Sequence, residues 1–262
     1  MRILFVGDVV GRGGRTVLRE KLAEVKEAEA IDFTIVNIEN AAGGFGTTPN
    51  LAEETFKLGA DVLTSGNHIW DRRELFDYFD RAPKLLRPGN YPPGLPGSWS
   101  TVAESRQGVP VAVVNLQGRV FMPLIDCPFR FIDAEIEAIR EQTPIILVDF
   151  HAEATSEKMA FGWHVDGRVS AVVGTHTHVP TADCRVLPGG TAYVTDVGMT
   201  GSYESVIGMR VKESLQRFLT GLNARFEPAT DSPKFCSVII EIDDASGQAL
   251  SIRRCDLEPA VP

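Results

Sequence analysis

The feature that most constrains the fold is a series of short β-branched apolar runs, each of which ends at a polar residue and a loop. They lie at residues 3–6, 33–38, 61–64, 111–116, 145–150 and 172–174. Runs of this length and composition are typical of strands whose two faces are both covered. Segments with apolar residues at helical spacing separate most of them. The pattern therefore predicts an α/β fold.

The last part of the chain has a different pattern. Residues 235–242 and 249–254 form consecutive strand-like segments, and a polar turn sequence at 243–247 connects them. This arrangement predicts an antiparallel pair. Together with the helix-separated strands, it predicts two mixed β-sheets packed on each other with helices outside.

Helices are predicted after a glycine-rich loop at residues 7–14, starting near Thr16, and at five further places. These are residues 51–58, a segment around 75–79, and residues 134–141, 156–161 and 211–222. In the last of them, Leu215, Phe218, Leu219 and Leu222 lie on one side.

The chain of 262 residues is long enough for one large or two small domains. Residues 82–98 are rich in proline and glycine and could link two domains. Because strands of similar character continue on both sides, we expect an ordered connection within a single domain spanning 1–262.

Charge and composition exclude several classes of protein. A formal net charge of −9 argues against a protein that coats nucleic-acid backbones. No apolar stretch approaches the ~20 residues of a membrane span, and the N-terminus has the pattern of a buried strand. The four cysteines contain no Cys-x-x-Cys pair, which favours reduced thiols. We therefore expect a cytoplasmic protein.

Candidate metal ligands follow these strands. If the backbone stays extended beyond residue 174, His176 and His178 project to the same side. A single polar residue at the end of a strand could serve only to form the turn. Six of them, at the edge where α/β sheets place their sites, have types that suit mixed oxygen and nitrogen coordination. The six are Asp8, Glu39, Asn67, His151, His176 and His178.

These ligands are enough for two metal ions, with a carboxylate such as Glu39 or Asp8 between them. Two ions ~3.5–4 Å apart promote in-line displacement at phosphorus. The first glycine loop completes neither a dinucleotide fingerprint nor a P-loop, so the sequence only weakly supports nucleotide binding there.

The blocks, in their order, resemble the calcineurin-like metallophosphoesterases. They are Gly7-Asp8, Glu39-Asn40, Gly66-Asn67-His68, His151 and residues 174–178. Several positions depart from that family's usual pattern: Val10 replaces a histidine, Glu39 an aspartate, Ile69 an acid and Thr175 a glycine. With these departures, residues 37–40, 66–68 and 174–179 are similar to the YmdB-type subgroup, which is associated with hydrolysis of 2′,3′-cyclic nucleotides.

This resemblance implies a four-layer α/β/β/α sandwich and a complete ligand set. Asp8 and His178 would hold one metal, while Asn67, His151 and His176 would hold the other. Glu39 would bridge the two ions. Asn40 would be either an added ligand or a hydrogen-bond donor to another ligand. The ions would be iron or manganese, with zinc also possible.

The resemblance also implies that His68 is catalytic and either donates a proton to the departing oxygen or stabilises the phosphoryl charge. The alternative is a histidine that is simply hydrogen-bonded to the nearby Asp71. Glu153 and Asp149 are equal candidates for orienting His151. The residues that bind the substrate cannot be named from the sequence.

The leading functional hypothesis is a di-metal phosphodiesterase that hydrolyses 2′,3′-cyclic nucleotides, and also other phosphodiesters or monoesters, by attack of a metal hydroxide on phosphorus. Its partner would be a small phosphoester, without stable nucleic-acid or membrane binding, and a homo-oligomer is possible. Two alternatives stay open: a nucleotide or protein phosphomonoesterase with the same site, and a regulatory binding protein on this scaffold.

Overall fold

The structure, a computed structural model, describes residues 1–258. The strands are β1 Arg2–Val6, β2 Phe33–Asn37, β3 Val62–Thr64, β4 Ser100–Glu104, β5 Pro110–Gln117, β6 Ile146–His151, β7 Ala171–Thr175, β8 Arg185–Val186, β9 Ala192–Val194, β10 Gly201–Ser202, β11 Pro233–Lys234, β12 Ser237–Ile242 and β13 Ala249–Arg254. The α-helices are α1 Gly11–Ala28, α2 Pro49–Lys57, α3 Pro128–Arg140, α4 Thr155–His164 and α5 Val211–Thr220. Three short 3₁₀ helices span Asn67–Asp71, Arg73–Leu75 and Phe79–Arg81.

Two mixed sheets organise the chain. The first has the strand order β13-β12-β1-β2-β3, with β1, β2 and β3 parallel and β12 antiparallel to both β1 and β13. The second has the order β4-β5-β6-β7-β9-β8 and is parallel from β5 through β9. Its two outer strands, β4 and β8, run antiparallel to their neighbours.

The strand β1 shows why the sheets pack as layers. Its residues alternate between two apolar clusters: Leu4 and Val6 pack in the cluster that includes α1 residues, and Ile3 and Phe5 pack against the second sheet. A third cluster joins the outer face of the second sheet to α3 and α4. Both faces of each sheet are therefore covered, which explains the continuous apolar runs. The predicted α/β/β/α sandwich is confirmed.

The start of α1 differs from the prediction. The helix begins at Gly11 rather than near Thr16, so the second half of the glycine-rich segment is helical and not a loop. The glycines are needed for close packing: a Cβ at Gly14 would lie 2.2 Å from the carbonyl oxygen of Thr200. Glycine inside a helix costs stability, and tertiary packing outweighs that cost here.

The predicted helix around residues 75–79 is wrong. The chain forms the three 3₁₀ helices instead, and Phe76 is half-exposed, whereas Leu75 and Phe79 are buried. Arg72 has an extended backbone that separates the first two turns. Its guanidinium donates hydrogen bonds to the carbonyl oxygens of Ala42 and Phe45. These long-range hydrogen bonds favour the extended conformation at Arg72 over a continuous helix.

The proline-rich connection at 82–98 is ordered against the first sheet. Leu85 and Leu86 are fully buried, and their backbone pairs with Leu63 and Ser98 through isolated bridges. The prediction of one domain over 1–262 includes residues 259–262, which lie outside the described range.

The helix α5 is present as predicted, although it ends at Thr220 with Gly221 in the left-handed conformation that favours glycine. Its apolar side faces outward, and Phe218 and Leu219 are each 81% exposed. Among the described residues, no helix has the length and apolarity needed to cross a bilayer.

Candidate metal centre

The carboxyl ends of strands from both sheets meet at one place. Two groups of side chains converge there, and the potential ligand atoms within each group lie within 4.8 Å of one another. One group is Asp8, Glu39 and His178, and the other is Glu39, His151 and His176. Glu39 belongs to both groups, which is the geometry that a bridging carboxylate requires.

The backbone around the two histidines of the 174–178 segment is not extended. β7 ends at Thr175, and φ is 96° at His176 and 64° at His178. The expectation that both imidazoles project to one side of a strand is therefore wrong. The left-handed residues turn the chain so that His176 joins His151, and His178 joins Asp8. Such a conformation is costly for residues other than glycine and persists only where surrounding contacts enforce it.

Three potential acceptor atoms surround Nε2 of His151. Oε1 of Glu39 lies 3.1 Å away, Oδ1 of Asn67 3.2 Å and Nδ1 of His176 3.0 Å. One imidazole nitrogen carries at most one proton, so it cannot satisfy all three neighbours. A convergence of lone pairs of this kind fits a cation better than a hydrogen-bond network.

Unpartnered buried oxygens lead to the same conclusion. Oδ1 of Asp8 and Oδ1 of Asn40 have no hydrogen-bond donor within the described part of the chain, although both residues are buried. Nδ2 of Asn40 donates to the carbonyl of Gly44, which leaves its oxygen free. An unsatisfied buried polar atom normally costs about 1–3 kcal/mol. The residues present therefore fit metal ions.

Hydrogen bonds outside the clusters orient the histidine rings. Nδ1 of His151 lies 2.9 Å from Oγ1 of Thr175, which in turn donates to Asp149 over 2.6 Å. Asn37 holds the other oxygen of Asp149 through a bond of 2.9 Å. In the neutral imidazole of His151, Nδ1 therefore carries the proton, which leaves Nε2 to bind a metal.

The other two histidines are oriented in the same manner. Nε2 of His176 lies 3.2 Å from a carboxylate oxygen of Glu153, and Nδ1 of His178 lies 2.9 Å from the carbonyl oxygen of Ile207. Of the two candidates for orienting His151, Asp149 acts through Thr175, whereas Glu153 contacts His176. Sequence proximity to His151 did not reveal this division.

Burial and mutual charge shift the pKa values within the clusters. Burial raises the pKa of Glu39, but the charge and hydrogen bond of His151, together with the charges of His68 and His176, outweigh burial and lower the pKa to about 2. Burial likewise opposes protonation of His151, yet the charge and hydrogen bond of Glu39, together with the charges of Asp8 and Asp149, raise its pKa to about 9. Burial and the nearby charge of His151 lower the pKa of His176 to about 3, and burial raises the pKa of Asp8. In the metal-free protein, the positive charge of His151 thus balances the negative charge of the nearby carboxylates. A bound metal ion would balance that charge instead.

His68 lies beside the clusters rather than within them. Its backbone N–H donates to Oε2 of Glu39, at 3.1 Å. Nδ1 of its ring lies 2.8 Å from Oδ2 of Asp71, so the predicted contact with Asp71 is present. The Phe45 ring and the imidazole pack edge to face, with the centroids 5.1 Å apart. Both contacts restrict the ring and leave Nε2 as its remaining polar atom.

Gly66 explains the spacing of the Gly-Asn-His block. A Cβ at this position would lie 2.1 Å from Nε2 of His151, so only glycine lets the loop approach the ring. The approach is what brings the amide of Asn67 within 3.2 Å of His151.

A buried ion pair behind the 174–178 segment was missed by sequence reasoning. Nζ of Lys158, on α4, donates to Oδ2 of Asp196 and to the carbonyl of Thr175, both at 2.7 Å. Asp196 also accepts hydrogen bonds from the backbone N–H and the hydroxyl of Thr177. The pair therefore holds Thr177, the residue between the two left-handed histidines. The one available signal was that Asp196 follows a strand.

The metal-ligand clusters lie at a cleft of about 640 Å³. Glu39, Asn40, His68, His176 and His178 line it. The apolar part of the remaining lining comes from Phe45, Val179, the turn at 206–209, α5 and Phe226, and Glu153 and Thr177 add polar groups. The cleft is large enough to bury a small organic ligand, for which about 300–1,000 Å³ is usual.

The fold and the site together define a two-sheet α/β protein with paired carboxylate and histidine clusters that are able to bind metal. The family model described as "YmdB-like protein" matches residues 4–255. This chain belongs to the YmdB-like family, which confirms the resemblance drawn from the motifs.

Relatives support this assignment over nearly the whole chain. A Bacillus subtilis (strain 168) protein named 2′,3′-cyclic-nucleotide 2′-phosphodiesterase is 50% identical over 254 residues, covering 97% of this chain and 96% of that protein. A crystal structure of a protein from Thermus thermophilus matches with a TM-score of 0.92 and 41% identity, covering 98% of this chain and 99% of that one. A crystal structure described as that of a novel phosphatase from Mycoplasma pneumoniae has a TM-score of 0.92 at 33% identity, and the match covers 98% of this chain and 93% of that one.

Proposed function

We propose that the protein is a metal-dependent phosphodiesterase that hydrolyses 2′,3′-cyclic nucleotides. The observation that carries this proposal is that two clusters of potential metal ligands share Glu39 at a cleft. The name of the Bacillus subtilis relative supports the choice of substrate. The chain would act as a single domain over residues 1–262.

Two ions are proposed, iron or manganese, with zinc as a third possibility. Asp8 and His178 would hold one ion and Asn67, His151 and His176 the other, with Glu39 between them. Asn40 would add its free oxygen. When bound, two such ions act as Lewis acids that stabilise negative charge on the phosphoryl oxygens.

His68 supports catalysis in this proposal. Hydrolysis forms a bond from phosphorus to a water oxygen and breaks the bond to one ribose oxygen, which needs a proton as it departs. Asp71 fixes Nδ1 of His68, so Nε2 is the nitrogen that would supply this proton. A positioned acid of this kind contributes about 10²- to 10⁴-fold to the rate.

The test combines elemental analysis with hydrolysis of 2′,3′-cyclic AMP for the wild type, Glu39→Gln and His68→Ala. We expect about two metal ions per wild-type chain, loss of metal and turnover in Glu39→Gln, and loss of turnover with metal retained in His68→Ala. Glu137→Gln, on the exposed surface of α3, is the matched control and should behave as wild type. A metal-free protein, or turnover indifferent to Glu39, would refute the proposal and favour a regulatory scaffold.

The phosphomonoesterase alternative is separated by product analysis. A phosphodiesterase converts the cyclic substrate to a nucleoside monophosphate and leaves it. Faster release of inorganic phosphate from the monophosphate than opening of the cyclic ester would reassign the activity.

A further inference from the structure

The apolar part of the cleft is built from segments distant in sequence. Phe45 follows β2, Ile207 and Met209 belong to the turn before α5, Phe218 lies on α5, and Phe226 follows it. Phe218 is 81% exposed and Ile207 is 52% exposed. Large apolar side chains that remain exposed at the mouth of a polar site are typical of a ligand-binding surface. We call these five residues the apolar wall.

The apolar wall is connected to the metal-ligand cluster through main-chain and ring contacts. The carbonyl oxygen of Ile207 accepts the hydrogen bond from Nδ1 of His178, at 2.9 Å. Val206 and Met209 bond to each other across the turn, with N···O distances of 2.8 and 3.0 Å. The wall therefore has a defined position relative to a proposed metal ligand, and a molecule reacting at the clusters would extend along it.

A guanidinium lies against one ring of the wall. Arg217 stacks over Phe226, with Cζ 5.2 Å from the ring centroid. Arg217 also lines the cleft. Aromatic faces together with an arginine plane are the surfaces on which nucleobases stack.

We infer that the apolar wall is the nucleobase subsite and that stacking on Phe218 and its neighbours selects base-bearing cyclic phosphates over base-free ones. This inference rests on the proposed function and adds the part of the substrate that the wall recognises. A phosphorylated serine or threonine side chain has no planar group that would use these rings.

Recognition through this wall is tolerant of base identity. On the α5 side of the cleft, the polar lining side chains among residues 1–258 are Ser214 and Arg217. The hydroxyl of Ser214 already donates to the carbonyl of Arg210, at 3.0 Å. Few groups are left to read base edges, so stacking area decides affinity, and purines should bind more tightly than pyrimidines.

The test compares two substrates on the metal-loaded enzyme: 2′,3′-cyclic AMP and glycerol 1,2-cyclic phosphate, which has the cyclic ester but no base. The variants are Phe218→Ala, Phe218→Trp and the control Leu219→Ala. Leu219 is equally exposed, at 81%, on the same helix but does not line the cleft. Because both side chains are exposed, neither alanine variant should affect folding.

For Phe218→Ala, we expect the ratio of kcat/KM between cyclic AMP and the base-free ester to fall about 5- to 10-fold, mainly through KM. Phe218→Trp should keep the ratio or raise it, and Leu219→Ala should leave it unchanged. A ratio that does not respond to Phe218→Ala, or that responds equally to Leu219→Ala, overturns the inference. Failure of the wild type to cleave either ester would instead overturn the proposed function.

Discussion

Replacement of Lys158 by methionine tests whether the buried ion pair supports both the fold and the candidate metal centre. The side chains of Lys158 and Asp196 are 1% and 0% exposed, and their charged atoms lie 2.7 Å apart. Methionine has a similar length but no charge, so the variant leaves Asp196 with its hydrogen bonds from Thr177 and Gly198 and without a counterion. Removal of one partner from a buried pair costs about 3–5 kcal/mol.

A loss of this size is a large fraction of the free energy of unfolding of an ordinary single domain, which is about 5–15 kcal/mol. Urea unfolding of the metal-free protein should therefore show a clear fall in midpoint for Lys158→Met. Lys21→Met is the matched control, since Lys21 pairs with the exposed Glu24 at 2.8 Å on α1. A surface pair of that kind contributes only about 0–1 kcal/mol.

The double variant Lys158→Met/Asp196→Asn completes the set, because both charges are then removed. We expect the free energy of unfolding of the double variant to fall by less than the sum of the losses in Lys158→Met and Asp196→Asn. Affinity for metal should also fall in Lys158→Met, since the pair holds Thr177 between His176 and His178. If Lys158→Met destabilises the protein no more than Lys21→Met does, the reasoning is refuted.

Two further predictions concern single side chains. Glu153→Ala removes the acceptor for Nε2 of His176 and should weaken metal binding about 10-fold or more, measured by competition with a chelator; an affinity equal to that of Glu137→Ala would contradict it. Burial and then the charge of Asp256 raise the pKa of the Cys236 thiol to about 11, so its thiolate fraction rises about tenfold per pH unit below that value. Alkylation of the native protein at pH 8, mapped by mass spectrometry, should spare Cys236 and modify the half-buried Cys127; equal labelling would show that the expected protection is absent.

Local patterns in the sequence were sufficient to predict the layers of the fold and the identity of the clustered residues. Apolar runs such as that of β1 indicate that both faces of a strand are buried. Such a run can be recognised from consecutive residues alone. The residues that follow parallel strands meet at one edge of the sheets, so the order of strands and polar residues was enough to group Asp8, Glu39 and His151.

The tertiary structure decided how these residues are used. The split of His176 and His178 between two clusters depends on left-handed backbone conformations that distant contacts enforce. The pair of Lys158 with Asp196 and the packing of Phe45 on His68 join separate segments. Sequence periodicity reports which face of an element is apolar, but it carries no information on which remote side chain completes a hydrogen bond or fills a gap. That depends on the packing of the whole chain.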